Sequence, residues 1–216
     1  MSNKVVTVSS YSMLIMTVLL MFIVLFSSSL FANEKKNIVI IGDSLSAAHR
    51  IPVETSWPQL IQKKISHNGY PYRIINTSLS GATSYTALNR SKTLLKKFKP
   101  DICLIAIGAN DGLQGLSLKQ LKNNLTGLIE LCQLYTEKIV LFEMKLPSNY
   151  GRAFVDKFVN IYKEVAKKAS VKLLPFFMEP FALNMSMFLS DRIHPAENAQ
   201  PEMAKIVWKA LKDLVK

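Results

Sequence analysis

Cysteine is scarce in this chain, at two residues in 216, and histidine is hardly commoner, at three. Cys103 falls inside an apolar run and Cys132 inside a helical stretch, so both read as buried, unpaired thiols even where a disulfide is permitted. No set of Cys, His and carboxylate residues has zinc-ligand spacing, so no metal and no other cofactor is implied. Internal repeats and low-complexity tracts are missing too. Almost half of the residues are hydrophobic, which is a globular composition rather than a disordered one. The length allows one ordinary domain and is too short for two comfortable ones. Acidic residues are outnumbered, 15 against 27 Lys and Arg. The lysines are spread along helical stretches such as "LLKKFKP" and "YKEVAKKAS" instead of forming one block. Nothing interleaves aromatic with basic residues, so nucleic acid is not an expected partner. Solvated helix faces account for the lysines, and attraction to an anionic membrane surface is the sharper alternative.

The one long apolar run lies at the N-terminus. Lys4 is the only charge before Glu34, and Met13 to Phe26 is apolar except for Thr17. Three serines and "LFA" follow. A short positive region, an apolar region and a small-residue end make a secretory signal peptide, residues 1–32, with cleavage after Ala32. Fourteen residues of helix span roughly 21 Å, short of the roughly 30 Å hydrocarbon core. Counted on to Ala32 the segment has 20 residues and can serve as an uncleaved anchor instead. Residues 33–216 then form a periplasmic or secreted domain, membrane-tethered if the leader stays. Without Lys4 its balance is 26 basic against 15 acidic residues.

Within that domain, "NIVII" (37–41), "YRIIN" (72–76), "ICLIAI" (102–107), "KIVLFEM" (138–144) and "VKLL" (171–174) read as strands. They lack polar alternation, which predicts a sheet covered on both faces. Helical stretches separate them. One has Ser56 as cap and Pro58 in its first turn, and stops at Asn68-Gly69. Another opens on a capping box of Ser117 and Gln120. Others run from about Arg152 to Ala169 and from about Asn198 to Leu214. Alternation of strand and helix predicts a three-layer α/β/α fold with a parallel five-stranded sheet. In such sheets ligands bind at the carboxyl ends of the strands.

The polar motifs all stand there. Gly42-Asp43-Ser44 ends the first strand, "TSLSGATS" with Gly81 follows the second, "GANDG" with Asn110 follows the third, and "SDRIHP" follows the last. The first is not the Gly-x-Ser-x-Gly elbow of α/β-hydrolases. A serine nucleophile needs a base, an orienter for the base and donors for an oxyanion. Of the three histidines, His67 sits at the exposed end of an amphipathic helix, where a cation suits the helix dipole. His49 lies on the turn just past Ser44. His194 follows Asp191 by three residues, a spacing that in a tight turn puts a carboxylate on one ring nitrogen and leaves the other for Ser44.

Taken together, "GDSLS", the glycine of "SLSGATS", "GANDG" and "DRIHP" resemble the four blocks of the SGNH (GDSL) hydrolases. "LPSNYGR" and "LLPFFME" are similar to the thioesterase I, lysophospholipase and arylesterase branch. The resemblance covers nearly all of Asn37 to Lys216. It implies a flavodoxin-like fold, Ser44 as nucleophile, His194 as base and Asp191 as orienter. It also implies an oxyanion hole made by the Ser44 and Gly81 N–H groups and the Asn110 amide. Three positions depart from the pattern: Ala109 for a usual Gly, Ala48-His49 for a usual Gly-Tyr, and Arg192 for a small residue. The activity implied is an exported serine esterase, a monomer, cleaving acyl esters, thioesters or lysophospholipids through an acyl-enzyme. The rivals are an acetyl esterase acting on envelope glycan and a non-catalytic lipid-binding envelope protein. Leu113 and Leu116 on one side, and Leu146, Pro147 and Tyr150 on the other, are the expected border of an acyl groove. Gly112 and Gly115 are expected to let that loop move.

Overall fold

The structure, a computed structural model, describes residues 34–216 together with Tyr11 and Ile15. The apolar leader and its cleavage point after Ala32 lie outside the described residues. The chain divides after Glu34, and the second unit, Lys35–Lys216, carries every element below. Among the described residues no helix is long and apolar enough to cross a membrane.

Five strands form one parallel sheet: β1 (Lys36–Gly42), β2 (Tyr72–Asn76), β3 (Ile102–Ala106), β4 (Ile139–Phe142) and β5 (Lys172–Leu174). Their order is β2-β1-β3-β4-β5, the flavodoxin-like arrangement. The uninterrupted apolar runs have the burial they imply. Every residue of β3 and β4 is buried, as are Ile38 to Gly42 of β1, whereas the edge strands β2 and β5 are partly exposed.

Among the described residues, helices of five or more residues flank the sheet at α1 (Trp57–His67), α2 (Ser84–Phe98), α3 (Ala109–Leu113), α4 (Leu118–Gln133), α5 (Arg152–Ala169) and α6 (Gln200–Leu211). α1 packs on α6, while α2 packs on α4 and α4 on α5. The buried stripes follow the helical period, as in Trp57, Ile61 and Ile65 of α1, or Leu121, Leu125, Leu128 and Cys132 of α4. Cys103 on β3 and Cys132 on α4 are both free. The neighbouring Cys132 thiol, and then burial, push the Cys103 thiol far above the ordinary range.

One local expectation fails for an instructive reason. Ser56 precedes α1, but its hydroxyl does not cap the helix and donates to the Val53 carbonyl instead. The first N–H of the helix, on Trp57, donates to Oε1 of Gln200 at 3.0 Å. Gln200 opens α6, is itself buried, and ties the two helices of that layer together. Ser117 does accept from the Gln120 N–H, at 3.4 Å.

The chain runs from β1 out to β2 on one side and then crosses to β3 on the other side. The strand order therefore reverses between β1 and β3, where such sheets open a crevice for ligand. Ser44 follows β1 and Asn110 lies in the first turn of α3 shortly after β3, so both flank that point.

Candidate active site

Gly42 is still part of β1, and its backbone lies tight against its neighbours. A Cβ there would stand 2.7 Å from Ser78 Oγ, 3.0 Å from Ser46 Oγ and 3.1 Å from the Ala106 carbonyl. The glycine is needed for space rather than for turn geometry. The turn itself is held by Asp43. Its carbonyl accepts from the Ser46 and Ala47 N–H groups at 3.1 and 3.0 Å, and its Oδ1 accepts from the Leu45 N–H at 3.0 Å. Asp43 is fully buried. Burial drives its pKa up to about 7, opposed by the Leu45 hydrogen bond and assisted by the negative charge of Asp111. Asp43 Oδ2, Ser46 Oγ and Ser78 Oγ lack a partner among the described residues. Sequence reading passed over Asp43, although a carboxylate between a buried strand and its turn was the signal available.

Ser44 emerges from this turn. His194 Nε2 lies 2.9 Å from Ser44 Oγ, and His194 Nδ1 lies 2.8 Å from Asp191 Oδ2. The Asp191–His194 segment is a closed turn. The Leu189 N–H donates to the His194 carbonyl at 2.8 Å, the Ala196 N–H to the Met187 carbonyl at 2.8 Å, and Phe188 bridges Pro195. Asp191 Oδ1 accepts from the Ile193 and His194 N–H groups at 2.9 and 3.0 Å. Partial burial raises the Asp191 pKa, but those two bonds and the His194 ring together outweigh it and hold the carboxyl at about 2. Asp191 is therefore ionised throughout the neutral range.

Gly81 adopts φ +78°, with open space where a side chain would stand. Asn110 Nδ2 donates to the Ala82 carbonyl at 3.0 Å, which ties the loop after β2 to the start of α3. A primary amide has two N–H bonds, so one remains for a ligand. Beneath this tie, buried Asp111 accepts from the N–H of Ser84 at 2.7 Å and from its hydroxyl, and Asn124 Nδ2 donates to Ser84 Oγ at 2.9 Å. The same two loops are thus bound together twice.

A cleft of about 270 Å³ opens beside Ser44 and His194. Leu113 and Pro147 line it, as their positions predict. Leu146, Leu116 and Tyr150 are not among the lining residues. Leu146 is buried beneath α3, where its methyl groups would be 2.6 Å from a Cβ on Gly112. Leu116 is exposed, and Tyr150 stands on the rim with its hydroxyl donating to the Leu113 carbonyl at 3.1 Å. Gly112 is thus a packing glycine within α3 rather than a hinge, while Gly115, at φ +64°, lies in the open. The lining that sequence reading missed comes from Leu45, Ala109, Phe176, Met178 and Ile193, with Lys145 as its one cation. Lys145 pairs with Glu179 at 2.7 Å. Phe176 and Met178 belong to "LLPFFME", which was legible as a motif but not as a wall.

Two of the departures from the usual pattern acquire a physical meaning. Ala48 and Arg192 have φ of 56° and 58°, the left-handed region that glycine or a small polar residue occupies most cheaply. Ala109 adds its methyl to the cleft wall. His49, just after Ala48, lies ring against ring with His194, centroids 4.2 Å apart. Burial first, then the charges of His194 and Arg50, lower the His49 pKa.

Residues 40–200 match the model of the GDSL-like lipase/acylhydrolase family. Esterase TesA of Pseudomonas aeruginosa is 37% identical over 180 residues, covering 83% of this chain and 90% of its own. Thioesterase 1/protease 1/lysophospholipase L1 of Escherichia coli is 36% identical over 184 residues, covering 85% and 87%. A crystal structure of TesA superposes with a TM-score of 0.80 at 37% identity, covering 83% of this chain and 99% of that one. The chain belongs to the GDSL-like lipase/acylhydrolase family and, with it, to the enzymes that hydrolyse ester bonds.

Proposed function

We propose that the protein is an exported esterase and thioesterase for medium-length acyl chains, with Ser44 as nucleophile, His194 as general base and Asp191 as its orienting carboxylate. The observation that carries this reading is the unbroken line from Asp191 Oδ2 through the His194 ring to Ser44 Oγ, with contacts of 2.8 and 2.9 Å, at the mouth of a mainly apolar cleft. Asp191 fixes the tautomer in which Nδ1 carries hydrogen and Nε2 presents its lone pair. Ser44 Oγ attacks the acyl carbon as Nε2 takes its proton. The carbonyl electrons move to oxygen, where the Ser44 and Gly81 N–H groups and the free Asn110 N–H receive them. The proton then passes from Nε2 to the departing alcohol or thiol, leaving an acyl-enzyme on Ser44. A water molecule repeats the attack, His194 again taking the proton and returning it to Ser44 Oγ as the acid leaves.

The substrate class rests on the walls and size of the cleft. Ordinary ligand pockets run from about 300 to 1,000 Å³, so a cleft of about 270 Å³ suits a medium acyl chain better than a complete diacyl lipid. The printed names of the relatives, esterase and thioesterase 1/lysophospholipase L1, are in keeping with acyl esters and thioesters. Each methylene buried contributes roughly 0.8 kcal/mol. In a p-nitrophenyl ester series from two to sixteen carbons, kcat/KM is expected to climb several-fold per methylene at first and to turn over at medium length. A maximum at acetate, falling steadily thereafter, would replace this reading with an acetyl esterase of envelope glycan.

Export rests on the apolar leader alone. Intact-mass measurement of the protein recovered from the cell envelope is expected to give a chain beginning at Asn33. A chain that keeps Met1 or Ser2 would make the enzyme membrane-tethered.

A further inference from the structure

His49 has no part in the reaction just described, yet it sits against the group that does most in it. Its ring and that of His194 are 4.2 Å apart between centroids and inclined at 33°. One ligand atom each from His49, Asp191 and His194 lies within 4.8 Å of the other two. Asp191 and His194 are already 2.8 Å apart and fixed by the closed turn that carries them. His49 is partly exposed on the loop after β1, and Asp191 and His194 are not buried either, so solvent and an incoming ion can reach all three.

We infer that His49, Asp191 and His194 together form an inhibitory binding site for a divalent transition-metal ion of the zinc class. Two imidazoles and a carboxylate suit zinc, copper or nickel and do not suit magnesium or calcium, which prefer sites made of oxygen alone. Zinc bonds to such ligands at about 2.0–2.2 Å, so donor atoms around it stand roughly 3.3 Å apart in a tetrahedron. The Asp191 Oδ2 to His194 Nδ1 separation of 2.8 Å has to open by only about 0.5 Å to match. A side-chain rotation of His49 closes the rest, and water from the open cleft supplies the fourth position. The sequence could not announce this site through ligand spacing, because His49 lies far from the other two along the chain.

The ion is not a cofactor here. A neutral imidazole offers one lone pair: with Nδ1 bound to the metal, Nε2 carries the hydrogen and cannot take the proton of Ser44, and with Nε2 bound its lone pair is spent on the ion. An Asp191 oxygen bound to metal no longer orients the ring. Occupancy therefore stops turnover reversibly. The inhibitory half of the inference rests on His194 as base, whereas the binding half rests on geometry alone.

The two halves are measured separately. Zinc affinity is read by competition with a chromogenic zinc indicator, and turnover is read on an ester substrate relative to each variant's own metal-free rate. For the wild-type protein we expect one zinc per chain at this site, loss of turnover in parallel with binding, and full recovery with EDTA. His49→Phe keeps an aromatic ring against His194 but removes the ligand. It is expected to weaken both zinc binding and inhibition by at least the roughly 10–100-fold that even loss of an outer-sphere partner costs. His67→Phe, on the exposed end of α1, is expected to leave both unchanged. Equal zinc affinity in wild type and His49→Phe, or equal inhibition by magnesium, would overturn the site. Binding that depends on His49 while turnover is untouched would instead overturn the inhibitory half, and with it His194 as base.

Discussion

The carboxyl ends of the five strands and their amino ends are built from different residues, although the same helices connect them. At the amino ends the helices terminate in lysines: Lys64 in α1, Lys96 and Lys97 in α2, Lys167 and Lys168 in α5, and Lys209 in α6. Cations there suit the negative end of the helix dipole and stand in water. Left-handed residues at that end, Lys99 and Ser170, do nothing more than close helices α2 and α5. At the carboxyl ends the left-handed residues Ala48, Arg50 and Arg192 bend the chain around Ser44 and His194. Large exposed hydrophobics gather in the same segments, among them Leu79, Leu116, Tyr150, Leu183 and Ile193, while Leu134 and Tyr135 lie beyond the far end of a helix. The fully buried Asp43 also belongs to this end. One end thus follows the rules of economy, and the other departs from them around the proposed catalytic line of Asp191, His194 and Ser44.

The sharpest way to break that contrast is substitution. Ser44→Ala is expected to abolish turnover and leave the fold intact, since Ser44 lies in a turn and its hydroxyl has His194 as its hydrogen-bond partner. Retention of a tenth of wild-type esterase activity would contradict the contrast outright. Asn110→Ala comes next. Loss of one oxyanion donor costs on the order of 10²–10³ in kcat, about 2.7–4 kcal/mol. A variant that lost its thermal transition along with its activity would mean that the tie to the Ala82 carbonyl matters more than the free N–H.

An effect on stability rather than on turnover separates the two ends by pH. Asp43 holds its proton more tightly folded than unfolded, with a pKa raised from 3.8 to about 7. The stability it contributes is full below about pH 4 and is lost as the pH rises through 7. At about 1.4 kcal/mol per pH unit this comes to roughly 4 kcal/mol across the interval. Between pH 4 and pH 8 the wild-type Tm is expected to fall relative to that of Asp43→Asn, by on the order of 10 °C at 2–4 °C per kcal/mol. Parallel melting curves against pH would show that Asp43 is charged in the folded protein. The smallest effect belongs to the amino ends. Lys96→Ala and Lys167→Ala are expected to change stability by no more than about 1 kcal/mol and to leave kcat/KM unaltered.

What could be read in advance divides along the same line. The sheet was legible because buried parallel strands cannot alternate polar and apolar residues, and Ile38 to Ile41 and Ile102 to Ala106 do not. The Asp191–His194 pair was legible because its parts are three residues apart in one turn. The strand-end rule supplied the partner of that pair, Ser44, from the far end of the chain. Features made by distant segments were not legible. Gln200 replaces Ser56 as the acceptor for α1 only because α6 packs there. The cleft wall draws on Phe176 and Met178 because the segment after β5 folds back, whereas Leu146, adjacent in sequence to the true border, turns down into the core. His49 meets His194 through the same return of the chain.

The central claim is that Ser44 is the nucleophile and His194 its base. The most direct measurement is covalent labelling with a fluorophosphonate, followed by peptide mapping. Under this account the wild-type protein takes one label, on the peptide carrying Ser44. The rate of labelling falls by orders of magnitude in His194→Ala, and Ser44→Ala takes none. Labelling at any other serine, or undiminished labelling of Ser44 without His194, would contradict the account.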